Sequence, residues 1–172
     1  IQTARIVQEK IRCSHLEESF LLGHPGVYIE DEQLAGKVFE EHSVFDIVSK
    51  YILGHRVLGF RDLTDGNHLL LQEMRSDLQL QKKCLYISHD VILSSFIGSL
   101  LQLPMNQNFW IDYLQGFVVT LSDDNTISLH FENKELVLCE IIPIFGKFQD
   151  SEHLVRTLPY QEAEDFLHGY SI

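Results

Sequence analysis

Residues 84–102 read CLYISHDVILSSFIGSLLQ. Cys84 to Ser88 is a short apolar run of the kind that fills a buried strand, which also predicts a buried Cys84 thiol. From Val91 the pattern turns helical. Ile92, Leu93, Phe96, Ile97, Leu100 and Leu101 form one broad apolar face, and Pro104 lies just past its end. Between strand and helix stand His89 and Asp90. Open parallel α/β sheets bind ligands beyond the carboxyl ends of their strands. A helix start at that place also aims unpaired N–H groups and partial positive charge at the ligand. An imidazole there can donate to a phosphoryl oxygen. A neighbouring carboxyl can protonate a leaving group if its setting raises its pKa. The plainer reading is structural: Asp90 is a good N-cap for a helix over 91–102, and His89 a satisfied polar residue at a strand end.

Working outward, residues 1–12 predict a helix, with Ile1, Ala4, Val7 and Ile11 at helical spacing. Residues 13–30 hold Gly23, Pro25 and Gly26 and predict a loop. Residues 31–53 predict helix, with Leu34, Val38, Phe45, Val48 and Ile52 on one side. Ser43 with Asp46 three residues later reads as an internal capping box that splits this stretch in two, and Gly54 ends it. A second loop is expected from His55 to Asn67. A helix then carries Leu70, Leu71, Met74 and Leu78, ending at Lys82-Lys83. The last third is β-like: Gly116 to Leu121, a turn at Asp123-Asp124-Asn125, and an alternating strand from Thr126 to Glu132. A two-residue turn at Asn133-Lys134, a strand from Leu136 to Ile142 and a terminal helix from Pro159 to His168 complete the pattern.

The chain has 172 residues, enough for one domain with a real core. It is 45% hydrophobic with a net charge of −12, which argues against broad nucleic-acid binding while leaving room for one local positive pocket. No apolar run approaches a membrane span, and no secretory signal stands out. The compartment leans to the cytoplasm, with an upstream targeting segment left open because the chain starts at Ile1 without a Met. Oligomeric state is left open too. Three distant cysteines, Cys13, Cys84 and Cys139, suggest neither disulfides nor a zinc site.

The stretches IQTARIVQEKI (1–11) and LYISHDVILSSFIGSLL (85–101), in that order, resemble the histidine phosphatase superfamily, which includes the phosphoglycerate mutase-like enzymes and the histidine acid phosphatases. Thr3-Ala4 is similar to the pair that follows a helix arginine in that family. Ser88-His89 is similar to the end of its later strand, whose His binds the phosphoryl group. Asp90 matches the general acid of the acid-phosphatase branch, where the mutase branch more often has Gly. The likeness spans most of residues 1–102. The family's Arg-His-Gly nucleophile motif occurs nowhere in the 172 residues, and its helix arginine would precede Ile1; Gly54-His55-Arg56 is the triplet reversed and no match.

The resemblance implies an α/β, phosphoglycerate mutase-like fold: helices on a mainly parallel sheet, with antiparallel strands toward the C-terminus. Residues 1–172 would be a single unit, the C-terminal portion of such a domain. The implied activity is phosphomonoester hydrolysis through a phosphohistidine formed outside this chain, on a small phosphorylated substrate, with no cofactor and no metal. His89 and Asp90 are the implied catalytic residues; Ser88 and Arg61 are candidate substrate contacts. The alternatives are an inactive relative that binds a phosphorylated ligand or a protein partner, a mutase-like phosphotransferase, and a chance match in which Asp90 is only a cap.

Other features have bland readings. None of the nine histidines forms H-x-H or H-E-x-x-H. Glu17, Glu18, Glu30 and Asp31 read as solvated charge, with an alternative proton donor as the sharper reading. Arg56 and Arg61 could reach a phosphate or carboxylate, and serve solubility otherwise. Phe109, Trp110 and Tyr113 read as core packing or a pocket wall. Asp123-Asp124-Asn125 lacks the Gly and distal Glu of a calcium loop.

Overall fold

The computed structural model describes residues 2–13, 15–80, 83–103, 110–112, 115–132 and 134–138. Five helices precede a small sheet: α1 (Gln2–Ile11), α2 (Glu32–Glu41), α3 (Val44–Ile52), α4 (Leu63–Gln79) and α5 (Asp90–Leu100), then β1 (Val118–Leu121), β2 (Ile127–Phe131) and β3 (Lys134–Leu138). The sheet is antiparallel throughout, in the order β1-β2-β3. Mixed helix and strand content is therefore present, and the strands described are the antiparallel ones.

Helix α5 is the centre of the molecule. Ile92, Phe96, Ile97 and Leu100 are buried as the apolar period requires, and Ser94, Ser95 and Ser99 are buried as well. A helix covered on nearly every side needs small residues where its neighbours come closest. One apolar cluster joins α5 to Tyr51 of α3, Leu70 and Leu71 of α4, Val27 and Tyr28 of the preceding loop, and Ile127, Leu129 and Phe131 of β2. The β2 alternation predicted at those three positions holds: they are buried, and Ser128 and His130 between them are half-buried.

The bend at Ser43 also forms as expected. Its hydroxyl oxygen accepts from the Asp46 amide at 3.1 Å, and its hydroxyl donates to the Asp46 carboxylate at 2.7 Å, capping α3. The loop over 13–30 holds, and Ile29 pairs with Phe60 in an isolated bridge. At Gly59, φ is +81° and an added Cβ would lie 2.3 Å from the Ala35 nitrogen, so this turn against α2 accepts only glycine.

Several expectations are corrected. Cys84 to Ser88 belongs to no strand, and no backbone hydrogen bond ties residues 84–88 to another described residue. Cys84 is exposed and Leu85 is 62% exposed, so the thiol and the start of the run are not buried. An apolar run makes a buried strand only where neighbouring strands pair with its edges, and among the described residues none does, while Tyr86, Ile87 and Ser88 are half-buried. Helix α4 begins at Leu63, capped by Asp62, rather than after Asn67. Gly66, expected in a loop, sits inside α4 because the Tyr28 ring lies against it; an added Cβ would be 2.5 Å from Tyr28 Cδ1. Phe131 pairs with Lys134, so the hairpin turn starts at Glu132, one residue earlier than expected. The strand beyond Leu138, the helix over 159–168, Cys139, Phe109 and Tyr113 lie outside the described residues.

Candidate functional site

The N-cap of α5 is His89, with extended backbone and no side-chain capping bond. Asp90 is the first helical residue, so the expectation that Asp90 caps the helix is corrected by one position. Its Oδ1 accepts from the adjacent Val91 amide at 2.9 Å instead of reaching the second or third turn amide as a cap does. Its Oδ2 accepts from the Trp110 indole N–H at 2.7 Å. His89 and Asp90 are both exposed, side by side at the start of α5. The helix carries an acid in its first turn, where the N-terminal partial charge favours one.

The two proposed substrate contacts have other work. Ser88 donates its hydroxyl to the Leu22 carbonyl at 2.8 Å. Arg61 Nε donates to the Val27 carbonyl at 2.9 Å, its amide donates to the Tyr28 carbonyl, and its own carbonyl accepts from the Tyr51 hydroxyl at 2.8 Å. Ser88 and Arg61 thus brace opposite ends of one loop, residues 22–28. That loop leans on the first turn of α5: an added Cβ at Gly26 would lie 2.5 Å from Ile92 Cδ1. The structure therefore gathers Ser88, His89, Asp90 and the 22–28 loop around one helix start, while Arg61 bonds to Val27, Tyr28 and Tyr51.

Thr3 is exposed on α1 and Ala4 half-buried, and no hydrogen bond joins α1 to His89 or Asp90 among the described residues. Arg56 lies elsewhere as well. With Lys50 and His42 it lines a pocket of about 180 Å³ that also takes in Val38, Asp46 and Leu58. Neither His89 nor Asp90 lines that pocket. Among the described residues, no group of three or more His, Cys, Asp or Glu side chains is placed to hold a metal ion.

No family model, curated protein or solved structure matches the chain.

Two participants escaped the sequence reading. Trp110 reads from sequence as core packing or a pocket wall, and its N–H meets the candidate acid. Leu22 was one apolar letter in a loop, yet its carbonyl holds Ser88. Neither has a motif, since backbone carbonyls leave no trace in residue type and an indole donor 20 residues away has no fixed spacing. Among the described residues, no helix is long and apolar enough to cross a membrane.

Proposed function

We propose that this chain is the C-terminal part of a phosphoglycerate mutase-like domain and that it serves phosphomonoester hydrolysis at His89 and Asp90. The observation that carries the reading is His89 itself. It occupies the N-cap of the central helix, is exposed and makes no capping bond, so its imidazole is accessible to a ligand. A carboxylate stands next to it, and the helix start adds positive potential for an anion. Residues 84–88 directly precede this helix in the chain, the order that a strand of a parallel sheet and its helix would have, although they belong to no strand among the described residues.

In the proposed reaction a histidine outside this chain attacks phosphorus. An N–P bond forms, and the P–O bond to the leaving group breaks as Asp90 gives that oxygen a proton. A water then loses its proton to Asp90 and attacks phosphorus, and the N–P bond breaks to release phosphate. Splitting the displacement in two makes each half easier. His89 donates to the equatorial oxygens, where charge accumulates.

A second reading, binding without turnover, is favoured by one sequence fact: no Arg-His-Gly lies within the 172 residues. Turnover of an aryl phosphate by the full-length protein at mildly acidic pH separates the two. The hydrolase reading expects phosphate release that His89→Ala abolishes. Unchanged release in that variant refutes the role of His89, and no release by the wild type leaves the binding reading standing.

A further inference from the structure

We propose that Trp110 is a positioning residue for Asp90, and that its indole N–H is a latch that holds one carboxylate oxygen and so sets the directions left open for proton exchange. The inference rests on the hydrolase reading for its catalytic consequence and on geometry alone for the latch.

An exposed aspartate at the first position of a helix ordinarily samples several rotamers in water. Asp90 does not have that freedom. Its Oδ2 meets Trp110 Nε1 at 2.7 Å while Oδ1 meets its own helix at Val91. The indole is itself held from two sides. Its ring packs on Phe45 in the first turn of α3, with centroids 5.8 Å apart and planes tilted by 49°. The next residue, Ile111, is buried, and its amide donates to the buried Ser94 hydroxyl one turn along α5 at 3.3 Å. Trp110 is therefore a strut between α3 and α5 whose polar edge ends on the candidate acid. A ring packed only for its apolar area would not need its N–H aimed at an exposed carboxylate.

The chemistry of the donor gives the latch its consequence. An indole N–H only donates, so it takes one lone pair of the Oδ2 that it faces. Oδ1 is likewise occupied as an acceptor. Each oxygen keeps a second lone pair, and a proton, a leaving-group oxygen or an attacking water must take one of those remaining directions. Trp110 thus fixes the direction from which Asp90 exchanges its proton, and orientation of this kind is worth large factors in rate.

The chain contains a single tryptophan, so the latch can be watched directly. In the first arm, tryptophan emission is compared between the wild type and Asp90→Ala. A shift of the emission maximum supports the contact, and superimposable spectra overturn it. In the second arm, Trp110→Phe keeps a ring against Phe45 but removes the donor. With the full-length protein and an aryl phosphate, kcat is expected to fall about tenfold with KM nearly unchanged and the melting temperature close to wild type. Unchanged kcat and pH profile in Trp110→Phe, in a protein that His89→Ala inactivates, overturn the positioning role and leave the hydrolase reading intact. If the wild type shows no turnover, the hydrolase reading falls and with it the catalytic role of Trp110, while the emission arm still decides the latch.

Discussion

Tyr86 donates its hydroxyl to the Asp77 carboxylate at 2.6 Å, tying the segment before His89 to the last turns of α4. Burial and then this bond and the Asp77 charge push the phenol well above its ordinary range, with a further contribution from Cys84. A phenol whose folded pKa is raised adds stability that is complete below the unfolded value of about 10 and is lost as pH rises above it. The wild type should therefore out-melt Tyr86→Phe by a constant margin up to that pH, and the margin should shrink beyond it. Paired thermal melts from neutral to strongly alkaline pH check this, and a margin that grew with pH would contradict it. Asp90 carries a chemical prediction at the same scale. General acids contribute about 10²–10⁴-fold, chiefly where the leaving group is poor. Asp90→Asn should cost an alkyl phosphate ester roughly 10²-fold or more in kcat, and a nitrophenyl ester far less; equal losses on the two would remove Asp90 from proton transfer. The sequence made His89 and Asp90 visible because helix polarity and residue type converge on them. It hid the role of Ser88, since a hydroxyl beside a candidate histidine reads as a ligand contact until the Leu22 carbonyl is seen 2.8 Å away.

A buried polar chain fixes how the elements meet. The Tyr28 hydroxyl donates to Asn67 Oδ1 at 2.6 Å, Asn67 Nδ2 donates to the Ser99 hydroxyl at 2.9 Å, and Ser99 donates back to α5 carbonyls. The loop, α4 and α5 are thereby set in one register, and Gly66 supplies the room for the Tyr28 ring. Tyr28→Phe keeps the ring but strands the Asn67 carbonyl oxygen in the core, at a cost of about 1–3 kcal/mol. Urea denaturation should show a lowered midpoint with an unchanged slope, whereas an unaltered midpoint would mean the chain is not satisfied as described. Element types were largely legible: α3 was fixed by Ser43 and Asp46, and β2 by the alternation of Ile127, Leu129 and Phe131. The start of α4 was not, because Gly59 and Gly66 look alike in sequence. One is required by a left-handed turn and the other by a ring packed on a helix, a distinction that exists only once Tyr28 is in place.

At the scale of the molecule, the core gathers around α5, and the α5 N-terminus is the point where the 22–28 loop, the 84–88 segment and Trp110 converge. The apolar run that suggested a parallel sheet is exposed along Cys84 and Leu85, because periodicity reports what a segment can bury and not whether a neighbour arrives to bury it. The chain holds nine histidines, and Lys50 and Arg56 line a pocket that offers an anion an alternative place. The most direct measurement is a titration of the protein with inorganic phosphate, followed by NMR of its histidine side chains, with His89→Ala to assign the His89 ring. A saturable shift of the His89 ring, with phosphate affinity lost in His89→Ala, is the predicted result. Phosphate that moves His42 beside Lys50 and Arg56 while the His89 ring stays still, with affinity unchanged in His89→Ala, would contradict it.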